Sequence, residues 1–253
     1  MEAKKFIINN ENVEYYAEKI SKWIKEQVHN AGANGVVLGM SGGVDCSTVA
    51  RLCQKANINI HLVLMPYGEN MHNSKSYEHA MELINKYNFE YHIFDIKKAV
   101  DDLIINSDET NSEKIKLAVA NIKPRIRMTY LYEYAGINNL LVIGTGNLSE
   151  RTVGYFTKWG DGANDFNPIA NLTKKEVYIL AKYLQLPDSI INKEPSADLW
   201  KGQTDETELG IKYEQIDRYI LTGTSGDNKI DNIIRDKNKK NMHKLNSIPI
   251  FEG

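Results

Sequence analysis

The sequence contains little that would support a secreted, disulfide-bonded or membrane-spanning protein. Its 253 residues include only two cysteines, Cys46 and Cys53. On a shared helix, a rise of about 1.5 Å per residue separates them by about 10 Å, too far for a disulfide. No apolar run approaches the roughly 18 residues needed to cross a bilayer, and the run behind Lys4 and Lys5 is too short for a signal peptide. We therefore expect a cytoplasmic protein with reduced thiols and no membrane partner.

The chain also lacks an excess of charge. Its 31 lysines and arginines nearly balance 33 acidic residues, for a formal net charge of −2. No overall basic field is present to attract nucleic acid or anionic lipid, so we expect no nucleic-acid partner. Residues 229–244 are a local exception, because basic residues outnumber acidic ones there. This basic end either meets an anionic ligand or forms a solvated helix face.

Short apolar runs alternate with helical patterns along the chain. Such runs, bounded by glycine or polar residues and rich in β-branched side chains, are typical of buried parallel strands. They occupy residues 35–40, 58–65, 89–96 and 139–145. The alternation predicts an α/β fold, a doubly wound and mostly parallel sheet with helices on both faces. About eighty further residues form a mostly helical C-terminal part, and we treat residues 1–253 as a single domain.

Several local signals predict where helices begin or break. Apolar residues recur at helical spacing over residues 10–30. Asn73 or Ser74 can cap the helix that follows the second run. Pro124 should break or restart a long helical pattern over residues 112–136. The capping-box sequence from Thr173 to Glu176 opens a later helix.

A glycine-rich segment joins the first apolar run to the next helix. Adjacent glycines let the backbone turn tightly and aim several N–H groups at one point, where the helix N-terminus adds partial positive charge. We predict a phosphate-binding loop there, different from a Walker A loop because the Gly-Lys-Ser/Thr end is missing. An ordinary strand–helix turn is the alternative that the glycines alone leave open. The loop residues are Gly39, Met40, Ser41, Gly42, Gly43, Val44, Asp45 and Cys46.

Asp45 places a carboxylate within this anion-binding loop. It would repel phosphate unless a cation lay between them, which favours Mg²⁺ held by Asp45 and phosphate oxygens. A favourable interaction with the helix dipole explains Asp45 equally well. A second polar cluster, residues 144–150, follows the fourth run and ends at Glu150. If the first and fourth strands are neighbours, Asp45 and Glu150 face one crevice and share the metal; otherwise Glu150 is a solvated loop acid.

Several segments of the sequence resemble those of a known family. SGGVDCS, residues 41–47, resembles the loop of the PP-loop ATP pyrophosphatases, which cleave ATP to AMP and pyrophosphate. Other blocks, in this order, are similar to the NAD synthetases within that superfamily, and the likeness runs from about residue 10 to Pro249. They are KPRIRM (123–128), GTGNLSE (144–150), GYFTKWGDG (154–162), EPSADLW (194–200) and GQTDETELG (202–210).

The resemblance implies an adenine nucleotide α-hydrolase-like fold and a reaction. In that reaction ATP is the co-substrate, Mg²⁺ the metal, and deamido-NAD is amidated with ammonia through an adenylated intermediate. The products are NAD, AMP and pyrophosphate, and no protein nucleophile is required. The family also implies a homodimer whose substrate site lies partly across the interface.

The same resemblance assigns roles residue by residue. ATP is assigned to residues 39–46 with Thr145, Lys174 and Ser196, and Mg²⁺ to Asp45 and Glu150. The deamido-NAD contacts are Arg125, Lys158, Asp165, His243 and Lys244. The chemistry agrees, since Arg125 offers a bidentate grip on an anion and the lysines offer point charges. Surface lysines, an ordinary helix arginine and a turn-capping aspartate are the alternatives.

Cys46 departs from the family, which usually has serine at this position. The thiol is a poor hydrogen-bond donor, so its contact with phosphate is in doubt and Ser47 is a candidate substitute. A thiol at a helix N-terminus is also expected to be somewhat acidified.

Ammonia, either free or delivered by another protein, is the expected nitrogen donor because the synthetase blocks occupy nearly the whole chain and neither cysteine lies in an amidase domain. Two rival functions stay open. One is another PP-loop enzyme acting on a purine nucleotide or tRNA, and the other is a regulator that binds ATP without turnover.

Overall fold

The computed structural model describes residues 4, 6–68, 74–104, 113–196 and 204–251, with the backbone alone for residues 113–116. The strands are β1 (Gly35–Gly39), β2 (Ile60–Leu64), β3 (Tyr91–Ile93) and β4 (Leu140–Val142). The helices of the first half are α1 (Val13–Asn30), α2 (Val44–Lys55), α3 (Lys75–Tyr87), α4 (Lys97–Leu103), α5 (Glu113–Ala120) and α6 (Ile122–Asn138). Those of the second half are α7 (Leu148–Val153), α8 (Lys174–Tyr183), α9 (Asp188–Ile191), α10 (Asp205–Leu209), α11 (Tyr213–Thr222) and α12 (Asn228–Asn241), followed by a 3₁₀ turn at Met242–Lys244.

The four strands form one parallel sheet in the order β3–β2–β1–β4. Val36 of β1 is level with Ile60 on one side and Leu141 on the other. The chain therefore winds outward from β1 in both directions, and the winding reverses between β1 and β4. The predicted doubly wound sheet and the predicted neighbourhood of the first and fourth strands are confirmed. A parallel bridge between Ile143 and Phe166 extends the sheet beyond β4.

Each face of the sheet has its own hydrophobic core, because successive strand residues point to opposite sides. Val36 and Leu38 of β1 are buried in one core, which α1, α2 and α8 cover. Val37 is buried in the other, beside α4 and α6. A third cluster joins α7, α11 and α12 in the predicted helical C-terminal part.

The local helix signals correspond to the observed boundaries. Ser74 caps α3, since its hydroxyl accepts a hydrogen bond from Tyr77 N at 3.2 Å. The capping box at Thr173 opens α8 as predicted. The break in the long pattern lies at Asn121, and Pro124 falls in the first turn of α6, where its missing N–H leaves no bond unmade. The strands are shorter than the apolar runs that predicted them. None of the described helices has the length and apolar character needed to cross a bilayer.

Candidate active site

A cavity of about 790 Å³ opens at the carboxyl ends of β1, β2 and β4. This is where ligands bind in open α/β sheets, and the volume lies within the range of about 300–1,000 Å³ found for small-molecule sites. The phosphate-loop residues other than Gly42 line it, together with Thr145, Glu150, Lys174 and Ser196. The structure thus brings together the residues predicted to contact ATP and metal.

The glycine-rich loop needs glycine at position 42 for two reasons. Gly42 has a φ of +75°, and a Cβ there would lie 2.0 Å from the carbonyl oxygen of Ser76. Gly43, the N-cap of α2, has an ordinary φ of −83°. The tight turn at Gly42 therefore lets α2 begin at Val44, with the N–H groups of its first turn at the edge of the cavity.

Three charged side chains meet where α2, α7 and α8 begin. Lys174 Nζ lies 2.6 Å from Asp45 Oδ2 and 3.2 Å from Glu150 Oε1. The exposed fractions of these side chains are 4% for Lys174, 17% for Asp45 and 16% for Glu150. The two carboxylates therefore converge on a single point, which the ammonium group occupies.

Helix caps hold these charges in place. Asn147 caps α7 in a capping box that fixes Glu150, and its amide also donates to Asp45 Oδ1 at 3.0 Å. Thr173 caps α8 and makes Lys174 its first residue. The backbone N–H of Lys174 donates to Ser149 Oγ at 2.9 Å, which joins the starts of α7 and α8. Glu150 and Lys174 are adjacent because their helices begin side by side.

Burial and charge shift the pKa values of this group. Burial raises the pKa of Glu150 to about 7, with Lys174 lowering it and Asp45 raising it to a smaller extent. Burial alone would lower the pKa of Lys174, but the charges of Asp45 and Glu150 outweigh it, and the pKa of Lys174 is raised. Lys174 is therefore a permanent cation, while Glu150 can gain or lose a proton near neutral pH.

Asp205 is a further carboxylate of the cavity that sequence reasoning did not single out. Its Oδ2 accepts a hydrogen bond from the Tyr213 hydroxyl at 2.9 Å, and that hydroxyl also lies 3.4 Å from Glu150 Oε1. Its Oδ1 is buried, and the Tyr155 side chain also interacts with this carboxylate. Burial raises the pKa of Asp205. The residue lies in a block that resembles the family, but no local pattern connects it to Glu150.

Four of the five residues predicted to bind the dinucleotide form a rim beside the cavity. The Arg125 guanidinium donates to the carbonyl oxygen of Lys158 at 3.3 Å. Lys158 Nζ donates to the carbonyl oxygen of His243 at 2.6 Å. Lys244 lines the cavity, and its Nζ donates to the carbonyl oxygens of Gly154 and Phe156 at 2.7 and 2.8 Å. Helix α12 and the 3₁₀ turn thus bring the basic end close to Arg125 and Lys158.

Asp165 is placed differently from the other predicted contacts. Its Oδ2 accepts a hydrogen bond from Val142 N at 2.7 Å, and the Tyr132 hydroxyl donates to Oδ1 at 3.3 Å. Its own backbone N–H donates to the carbonyl oxygen of Val142 at 2.9 Å. In this structure Asp165 is hydrogen-bonded to Val142 at the edge of β4 and does not line the cavity.

Cys46 and Ser47 have different surroundings although they are adjacent. Cys46 Sγ donates to the carbonyl oxygen of Gly43 at 3.2 Å and lies 3.3 Å from Ser41 Oγ. Ser47 is completely buried, and its hydroxyl has no hydrogen-bond partner among the described residues. Since Ser47 does not line the cavity, the structure does not support it as the substitute donor to phosphate.

This geometry defines a nucleotide-binding α/β protein whose phosphate loop lies at the switch point of the sheet, beside a lysine and two carboxylates. The chain belongs to the NAD synthase family, whose model matches residues 16–248. It is 44% identical over 235 residues to the NH(3)-dependent NAD(+) synthetase of Carboxydothermus hydrogenoformans, covering 92% of this chain and 95% of that protein. The family resemblance read from the sequence is confirmed.

Two solved structures are also similar to this chain. The NMN synthetase from Francisella tularensis superposes with a TM-score of 0.87 at 34% identity, over 95% of this chain and 99% of that one. The NH3-dependent NAD synthetase from Campylobacter jejuni subsp. jejuni gives a TM-score of 0.79 at 34% identity, with the same coverage of 95% and 99%.

Proposed function

We propose that this chain is a ligase that amidates deamido-NAD with ammonia, at the expense of ATP, to give NAD, AMP and pyrophosphate. The observation that carries the proposal is the convergence of Asp45, Glu150 and Lys174 beside the phosphate loop of an NAD synthase family member. Ammonia is the proposed nitrogen donor because the relative matched over 95% of its length is an NH(3)-dependent synthetase.

The chain's own residues position and neutralise the reactants. Backbone N–H groups at the start of α2 bind the ATP phosphates, and Thr145 and Ser196 line the same cavity. The nicotinate carboxylate attacks the α-phosphorus of ATP, and pyrophosphate leaves. Lys174 stabilises the negative charge that develops on the leaving group. Ammonia then attacks the mixed anhydride and AMP leaves, so positioning replaces a protein nucleophile.

Asp45 and Glu150 are the proposed ligands of Mg²⁺. One oxygen of each carboxylate lies within 3.2 Å of the Lys174 ammonium, so a compact cation in its place could contact both. Mg²⁺ prefers oxygen ligands of this kind. When bound there, the ion would neutralise the phosphate charge that these carboxylates otherwise repel. Lys174 would then be released from the carboxylates toward the phosphates. Asp205 lines the same cavity and, through the Tyr213 hydroxyl that it shares with Glu150, would add a further carboxylate beside the proposed metal ligands.

Arg125, Lys158, His243 and Lys244 are proposed to hold the anionic dinucleotide at the rim. Beside them, Trp159 is 54% exposed and adopts a φ of +60°, which a bulky residue rarely does away from functional sites. Its ring offers a surface on which an aromatic base can stack. The family resemblance also assigns a dinucleotide contact to Asp165, and in this chain Asp165 would make that contact from the sheet edge rather than from inside the cavity.

We also propose that the protein is a homodimer. Only Pro124 and Ala135 of α6 are buried, although the helix lies against the sheet, and Ile137 is 77% exposed. Ile126, Tyr130 and Leu131 form an apolar stripe that packs only partly against the second core, whereas Tyr134 of the same helix turns to His61 and His92. A partner subunit would cover this face. Sedimentation at micromolar concentration should give twice the mass of the chain, and a fully active monomer would rule out the dimer as a requirement.

A cytoplasmic location is part of the proposal. Cys46 and Cys53 are both buried free thiols, as is usual for proteins of reducing compartments.

The reaction can be tested by measuring pyrophosphate and AMP release from ATP with ammonia. Release should require deamido-NAD, and NAD should form in equal amount. Nicotinate mononucleotide is the informative competitor, because one similar structure is an NMN synthetase. A preference for the mononucleotide would change the proposed substrate but keep the reaction class. Release of pyrophosphate with purine nucleotide or tRNA instead, or ATP binding without turnover, would exclude the proposed function.

A further inference from the structure

A second group of metal-ligating side chains lies on β2 and β3, apart from the residues that line the active-site cavity. His61 belongs to β2, His92 belongs to β3, and Glu90 immediately precedes β3. Since Leu62 pairs with Tyr91, positions 61 and 90 are level, and positions 90 and 92 share one face of their strand. The parallel register therefore brings all three side chains to the same face of the sheet.

The ligand atoms of these side chains converge. His61 Nδ1 and His92 Nε2 each lie 3.7 Å from Glu90 Oε1, and all three atoms lie within 4.8 Å of one another. Over the described ranges of the chain, no other three His, Cys, Asp or Glu side chains are grouped in this way. A tetrahedral zinc ion about 2.0–2.2 Å from its donors needs them about 3.3–3.6 Å apart. The contacts to Glu90 are thus within a few tenths of an ångström of a zinc geometry, and the two histidine nitrogens, which lie within 4.8 Å of each other, must approach by up to about 1.5 Å.

The hydroxyl of Tyr134 lies between the two imidazole rings. It is 3.0 Å from His61 Nδ1 and 2.6 Å from His92 Nε2, so it can donate to one nitrogen and accept from the other. Glu90, at 3.7 Å, is too far away to hydrogen-bond to either ring. Burial raises the pKa of Tyr134, so the side chain stays a neutral hydroxyl. The neutral Tyr134 hydroxyl therefore lies between the two imidazole nitrogens and does not balance the charge of the Glu90 carboxylate beside them.

We propose that His61, Glu90 and His92 form a binding site for a zinc-type divalent cation, with water as the fourth ligand and the Tyr134 hydroxyl displaced from between the rings. Two imidazoles and one carboxylate are a donor set that zinc favours, whereas Mg²⁺ prefers oxygen ligands alone. The site is therefore chemically distinct from the Asp45–Glu150 pair.

The surroundings allow such an ion to enter and to be held. The exposed side-chain fractions are 61% for Glu90, 36% for His92 and 13% for His61, so the site opens to solvent at the sheet edge. Asn59 Nδ2 lies 3.0 Å from His61 Nε2. With its amide turned over, Asn59 accepts from the Nε2–H and leaves Nδ1 free to bind the metal, as groups behind a histidine ligand commonly do. The ion would cross-link β2 to the short edge strand β3.

The test is a titration of the purified full-length chain with Zn²⁺ by calorimetry, in excess Mg²⁺ to occupy oxygen-ligand sites. One equivalent should bind with micromolar or tighter affinity, and Co²⁺ should give the visible absorption of a tetrahedral complex. Loss of a residue that hydrogen-bonds to a metal ligand typically weakens metal binding by roughly 10- to 100-fold. Removing a ligand itself should therefore weaken Zn²⁺ binding by at least that much. The ligand variants are His61→Asn, His92→Asn and Glu90→Gln.

Two further variants separate a metal site from a hydrogen-bonded cluster. Tyr134→Phe removes the hydroxyl that competes for the ring nitrogens, so it should keep or tighten Zn²⁺ binding. His29→Asn, at an exposed histidine in α1, should change nothing. The proposal is overturned if the wild type binds Zn²⁺ only at millimolar concentration, if the His61→Asn/His92→Asn double variant binds as the wild type does, or if Tyr134→Phe abolishes binding.

Discussion

Replacing Lys174 by methionine should destabilise the protein in a way that Mg²⁺ reverses. Methionine retains much of the apolar stem but removes the ammonium that lies 2.6 Å from Asp45 and 3.2 Å from Glu150. Two unit charges 4 Å apart interact by about 4 kcal/mol at an effective dielectric constant of 20, and breaking a buried pair typically costs about 3–5 kcal/mol. Because the carboxylates are 17% and 16% exposed, water offsets part of this loss. We expect about 3 kcal/mol, a fall in Tm of about 6–12 °C for a chain of this size.

The diagnostic measurement is the response of Tm to Mg²⁺. In the wild type the ammonium occupies the point on which both carboxylates converge, so Mg²⁺ competes with it. In Lys174→Met nothing competes, and saturating Mg²⁺ should raise Tm by more than it does in the wild type; a ligand at about 100 times its Kd stabilises by about 2.7 kcal/mol.

Lys4→Met is the matched control for this comparison. Lys4 Nζ lies 2.6 Å from Glu176 in a second buried pair, 6% and 3% exposed, which is separate from the cavity. It should lose stability with no change in the Mg²⁺ response. Equal responses of wild type and Lys174→Met to Mg²⁺ would refute the placement of the cation between Asp45 and Glu150.

Three further outcomes are expected. Since burial raises the pKa of Glu150 to about 7, protons compete with Mg²⁺ below that pH, and the affinity of the free enzyme should be about tenfold weaker at pH 6 than on its plateau above pH 8; a flat profile in an Mg²⁺ titration would contradict this. In urea unfolding, Gly42→Ala should lower the free energy of unfolding by more than about 2 kcal/mol. Gly43→Ala should change it by less than about 1 kcal/mol, because Gly43 has a φ of −83° and an added Cβ would lie 3.4 Å from its nearest neighbour. Similar losses in the two variants would show that the turn is not tight. Asp45→Asn and Glu150→Gln should each reduce turnover by at least about 100-fold, about 2.7 kcal/mol of transition-state stabilisation, while circular dichroism stays unchanged; full activity of either variant at limiting Mg²⁺ would remove that residue from the metal site.

The sequence alone was sufficient for the elements whose causes are local. Apolar runs predicted all four strands, and turn and capping chemistry predicted the tight glycine turn before α2, the cap of α3 at one of two candidate residues and the capping box at Thr173. These features depend on residues within a few positions of one another. The resemblance to the family also grouped Thr145, Glu150 and Lys174 with the glycine-rich loop, and these residues line one cavity. A family pattern groups residues in this way without giving their geometry, and Arg125 and Lys158 of the same prediction lie outside the lining.

Only the tertiary structure decided how distant charges meet. Lys174 is 129 positions from Asp45, and its place between Asp45 and Glu150 depends on the strand order and on the adjoining starts of α7 and α8. Asp165 was predicted as a ligand contact, and only the structure shows that its carboxylate accepts hydrogen bonds from the backbone N–H of Val142 and from the Tyr132 hydroxyl. His61 and His92 lie on separate strands, and no periodicity within either strand shows that the parallel register makes them neighbours. A local pattern specifies φ, ψ and which face is buried, whereas contact between distant side chains is set by the packing of whole elements.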